Sequence, residues 1–94
     1  MALLDDIASQ VRQSFSGAYR EAAIALLTNA HIEDGSPAGP RLLRCALVAS
    51  KGSVGKLDYY VKLLAVDWRD VIVAGEYESL GGKLVRVRDL SGSF

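Results

Sequence analysis

The chain has little of what most catalytic centres are built from. Its 94 residues include one histidine and one cysteine, with one methionine and one tryptophan. A histidine-dependent triad or a multi-histidine metal site would have to be completed around His31 alone. Neither a metal nor a cofactor is expected, and no glycine-rich phosphate loop is present. Cys45 has no second cysteine with which to close a disulfide, and MALLDDIASQ lacks the basic start and apolar core of a secretory leader, so the expectation is a reducing cytoplasm. No apolar run reaches the roughly 18 residues of a membrane span, so no membrane partner is expected. Net charge is missing too. Eleven basic residues balance eleven acidic ones, leaving no overall field to draw nucleic acid or anionic lipid from a distance.

What is present suits one small globular domain. Half of the residues are apolar and 23% are charged, well above the low hydrophobicity that leaves chains disordered. A chain of this length buries roughly 60–65% of the surface that its unfolded form exposes, enough for one modest core. The neutral total hides segmentation: residues 1–39 carry a net −3, 40–65 a net +4, 66–79 a net −3 and 80–94 a net +2. Solvated faces explain most of this alternation, and neighbouring elements of opposite sign attract.

Apolar spacing predicts five helices. Leu3, Ile7, Val11 and Phe15 recur every four residues, with Asp5, Asp6, Ser9, Arg12 and Gln13 on the opposite arc. The two aspartates fall in the first turn, where the helix N-terminus favours carboxylates. Ser16-Gly17 breaks the pattern. A second helix is predicted over Ala18–Asn29, with a core stripe of Tyr19, Ala22, Ala23, Leu26, Leu27 and Ala30. The segment from His31 to Gly39 reads as a loop, His31 as an exposed cap, and Pro40 as the first residue of a third helix running to Ser50 or Lys51. Lys51-Gly52 ends that helix. Ser53 caps a fourth, Val54 to Leu64 or Ala65, whose core face is Val54, Leu57, Val61 and Leu64. Asp67 is the expected cap of a fifth helix, with Val66 stapled against Val71, Trp68 anchoring the core and an end near Glu78.

Beyond Gly81-Gly82 the period changes. Val85 and Val87 alternate with Arg86 and Arg88, as in a strand, yet no helix offers such a strand a partner. The tail must be extended coil, pair with Leu90 to Phe94, or pair with another molecule. The predicted fold class is therefore all-α, a compact bundle of about five short helices over residues 1–80, with an extended or β C-terminal tail over 81–94.

Candidate reactive groups resolve into structural roles. Asp67, Asp70, Glu76 and Glu78 do not converge on a histidine at the spacing of a bundle metal site. Arg41 and Arg44 flank Cys45 and could activate a thiolate, but its position between the apolar and basic sides of its helix favours a buried cysteine. The turn at Gly52 resembles a DNA-binding helix-turn-helix only loosely, because Val48 stands where a small residue belongs and Asp58 where an apolar one does. It also resembles one ankyrin-type hairpin, but at least three such units are needed for a solenoid.

The positive indication is surplus apolar surface. Tyr59 and Leu63 lie one turn apart away from the core stripe of the fourth helix, Val73 and Tyr77 do the same on the fifth, and Val85 and Val87 mark the tail. These six residues are the candidate partner-binding set for a non-enzymatic, self-associating protein interaction module. The alternative is a small nucleic-acid-binding or regulatory helical protein using the Arg41, Arg44 and Lys51 face, and the neutral charge disfavours it. No small-molecule ligand is specified.

Overall fold

The computed structural model describes residues 3–31, 39–92 and 94. It contains, among them, five helices followed by a two-stranded antiparallel hairpin: α1 (Asp5–Ser14), α2 (Ala18–Thr28), α3 (Gly39–Ser50), α4 (Val54–Leu64), α5 (Trp68–Glu76), β1 (Tyr77–Leu80) and β2 (Lys83–Arg86). The mostly helical bundle with an extended C-terminal end is the architecture that the periodicity predicts. Most of the loop expected between His31 and Gly39 lies outside the described residues.

α3 is the axis of the fold. It packs against α1, α4 and α5, while α2 closes the other side against α1 and α4. Leu42, Leu43, Cys45, Ala46, Leu47 and Ala49 of α3 are all buried, which accounts for the broad apolar arc of that helix. Around them sit Ile7, Val11 and Phe15 from the first helical stripe, Ala23 and Leu27 from α2, Leu57, Val61 and Leu64 from α4, and Val71 from α5. Trp68 packs against this core, as the sequence suggests, with the Arg69 guanidinium 4.9 Å over its ring. Ser53 caps α4 by accepting a hydrogen bond from the Lys56 amide.

α3 and α5 approach so closely that Gly75 is required. A Cβ on Gly75 would stand 2.5 Å from Cys45 Cα and 2.7 Å from the Cys45 carbonyl oxygen. Those are backbone atoms that no side-chain rotation can move.

Five local expectations are corrected. Tyr19, in the first turn of α2, is 67% exposed and joins no core stripe. Asp67 makes no side-chain cap bond to α5, its amide instead donating to Leu63 O. Val66 is 74% exposed and staples nothing. α5 ends at Glu76, so Tyr77 opens β1 and does not close a helix. Finally, the valine-arginine strand does not pair with Leu90–Phe94. It pairs with Tyr77–Leu80, with Glu78 opposite Val85 and Ser79 opposite Leu84. The turn is Gly81-Gly82, with φ of +56° and +80°. Successive positive φ values are what a two-residue hairpin loop needs, and glycine adopts them without steric cost.

Candidate functional site

Among the described residues, the most concentrated polar chemistry lies where α5 hands over to the hairpin. Glu76 is the last residue of α5 and fully buried, at a helix end where the macrodipole disfavours a carboxylate. Two arginines offset that cost. Arg41 and Cys45 are four residues apart on α3 and so share the face that meets α5. Arg41 donates to Glu76 from Nε and Nη2, both at 2.9 Å, in a bidentate fork. Arg86 of β2 donates from Nε at 3.0 Å and from Nη2 at 2.9 Å to Oε1. The Leu90 amide adds a bond to Oε2 at 3.2 Å, and the Cys45 thiol a long one at 3.6 Å. The Arg41 fork is the main reason the carboxyl is held below its ordinary range, against the opposing effect of burial.

A second ion pair ties the chain's two ends to the same helix. Arg44, 5% exposed, grips Asp6 of α1 at 2.7 Å and 3.3 Å and gives Nη1 to the Leu90 carbonyl at 3.2 Å. Asp6 also accepts the Phe94 amide at 3.2 Å. Its carboxyl is lowered chiefly by the Arg44 hydrogen bond. Leu90 is thus held at both main-chain groups while its side chain enters the core. Arg88 donates to Gly75 O at 2.7 Å, and the Val87 and Arg88 amides both reach Glu76 O.

The hydrogen bonds of this cluster are made internally. Among the described residues no buried side-chain nitrogen or oxygen lacks a partner. Cys45 is buried, and burial, reinforced by the neighbouring Glu76 charge, pushes its thiol up to about 12. A thiolate nucleophile is therefore not available near neutral pH.

Among the described residues, two open clefts lie at the turns joining α1 to α2 and α3 to α4. One, of about 390 Å³, is lined by Ser14, Phe15, Ser16, Tyr19, Gly52, Ser53, Val54 and Gly55. The other, of about 410 Å³, is lined by Gln10, Ser14, Leu47, Val48, Lys51 and Gly52. Neither contains a carboxylate, histidine or cysteine. The clefts and the titratable cluster are separate features.

The predicted partner-binding residues fall into two groups. Tyr59 is 62% exposed on α4, stacked edge-on against Tyr60 with ring centroids 5.1 Å apart. Val73 of α5, Val85 of β2 and Val87 just beyond it are exposed as well. Leu63 and Tyr77 are half-buried, and Leu63 packs against the core. Exposed Val66, Leu80 and Leu84 belong to the same half of the chain. Of the basic trio, Arg41 and Arg44 are bonded to Glu76 and Asp6, while Lys51 is exposed.

Glu76 and Asp6 are what sequence reasoning missed. Each looked like an ordinary helix-terminal acid, and the only available signal was two arginines on a helix otherwise rich in core residues. Comparison of the chain with protein-family models, with curated proteins and with solved structures finds no match.

Proposed function

We propose that the protein is a non-enzymatic interaction module that self-associates through the surface formed by α4, α5 and the hairpin. The observation that carries this reading is the hairpin itself. Both of its strands are edges, and Leu80, Leu84 and Val85 are exposed on it. A two-stranded ribbon with open main-chain groups and exposed apolar side chains is a template for pairing. Tyr59 and Val73 supply apolar and aromatic surface of the kind enriched at interfaces. The radius of gyration of 12.6 Å matches the roughly 12 Å expected of an isolated compact domain of this length.

The non-enzymatic part rests on the separation of clefts from titratable groups and on the saturation of the Glu76 cluster. The nucleic-acid alternative loses two of its three cations to internal carboxylates.

Sedimentation or light scattering over a concentration series tests the reading. The expected result is a monomer–dimer equilibrium that Tyr59→Asp and Val85→Lys each weaken by about tenfold or more, since roughly 1.4 kcal/mol per tenfold is typical of a single interface anchor. Both positions are exposed in the monomer, so thermal stability should stay within about 0.5 kcal/mol. A monomer at every concentration, or variants that dimerise like the parent, would remove the reading.

A further inference from the structure

The C-terminal segment is attached to the helical body in the manner of a bound peptide. Its grip is mostly on main chain: Glu76 holds the Leu90 amide, Arg44 the Leu90 carbonyl and Asp6 the Phe94 amide. One side chain, Leu90, fills a core position. Charge is complementary, with Arg86 and Arg88 of the segment meeting Glu76 and Glu78 of the body. None of these contacts depends on the segment belonging to the same chain.

The connection that makes it the same chain is the Gly81-Gly82 turn. Both glycines hold positive φ, and nothing lies within 4 Å of a Cβ built on either. No neighbouring atom crowds the turn, which is closed by the pairing of the strands on either side. Glycine moves from positive φ to extended backbone without steric penalty, and opening this turn would merge β1 and β2 into one strand.

We propose that residues 83–94 exchange between two copies, each copy seating its segment on the other's Glu76, Arg44 and Asp6. This rests on the self-association reading and deepens it by naming the occupant as a second copy's C-terminal segment. In the exchanged dimer the register is retained, Ser79 facing Leu84 and Glu78 facing Val85 of the other copy. Between these paired stretches the two chains cross at positions 81 and 82, where no ladder bond is required, and the fixed negative φ of proline suits such an open connection. Proline cannot adopt the positive φ of the closed turn. The intramolecular seat has the advantage of high effective concentration, so the parent chain exchanges mainly at high protein concentration, whereas a proline hinge forces exchange.

Two variants test this. Gly81→Pro/Gly82→Pro should sediment as a dimer of twice the 10.1 kDa chain mass. Ser79→Cys/Leu84→Cys places thiols on a non-hydrogen-bonded pair, where Cα atoms stand about 4.5 Å apart and a disulfide can form. Oxidation of the dimer fraction should then link the two chains covalently on a non-reducing gel. A dimer whose disulfide stays within each chain overturns exchange and leaves self-association standing. A monomeric proline variant likewise overturns exchange. A parent chain that stays monomeric at every concentration removes the self-association reading and, with it, exchange in the parent.

Discussion

Replacing Glu76 with glutamine changes one atom and should cost a large share of the stability of the fold. The carboxylate is completely buried and accepts from Arg41, Arg86 and the Leu90 amide at once. Oε1 faces two guanidinium groups, while Oε2 faces Arg41 Nε, the Leu90 amide and the Cys45 thiol. Whichever way a glutamine amide is turned, its NH2 group confronts donors, and Arg41 loses its counter-charge. Removing one partner of a buried pair costs about 3–5 kcal/mol, mainly through the charge left behind. The side chains of Arg41 and Arg86 are 24% and 42% exposed, so both can turn partly toward water, which places the expected loss near the lower end, about 3 kcal/mol. For a domain of this size that is about 12–24 °C in Tm, and a large fraction of the roughly 5–15 kcal/mol that such domains possess. Urea unfolding followed by Trp68 fluorescence and far-ultraviolet circular dichroism gives the number. Hydrogen exchange gives the mechanism: the Leu90 amide should lose protection ahead of the core helices, because its acceptor is the group replaced. A loss below about 1 kcal/mol, the scale of an exposed pair, would refute the reasoning and show that the cluster is solvated in solution.

Three further outcomes follow from the same geometry. Gly75→Ala should destabilise by more than the usual 1–3 kcal/mol of core overpacking, because the added carbon meets Cys45 backbone; a melting temperature within a few degrees of the parent would contradict the α3–α5 approach. Acid should unfold the protein in a window set by Glu76 and Asp6, whose pKa values are lowered on folding by Arg41 and Arg44 respectively. Their contribution is complete above the ordinary carboxylate values of about 4 and is lost as pH falls through the lower folded values. Glu76→Gln should flatten this dependence, as a urea midpoint series against pH would show. Cys45, with a pKa of about 12 and no exposure, should react with a thiol reagent in native buffer only at the rate of unfolding, while rapid labelling without denaturant would show an open site.

Much of this molecule is written in local pattern. The helix boundaries follow from four-residue apolar spacing and from Gly17, Gly52 and Ser53, and α1, α3 and α4 run where those signals place them. Such signals are local because a helix needs only its own residues to choose a buried face. The hairpin was half legible: glycine-glycine between alternating segments is a strong turn signal, obscured because Tyr77 and Glu78 also continue the helical spacing of α5. What the sequence could not decide by itself is which acid meets which base. Arg41 and Glu76 stand 35 residues apart, Asp6 and Arg44 stand 38 apart, and no periodicity links them. Tertiary packing alone turned two helix-terminal acids into anchors for the C-terminal segment, and it left Tyr19, apolar by pattern, facing water. A local pattern sets which face of an element is apolar. Only the assembled fold decides what that face meets, because burial and ion pairing depend on the approach of surfaces distant in sequence.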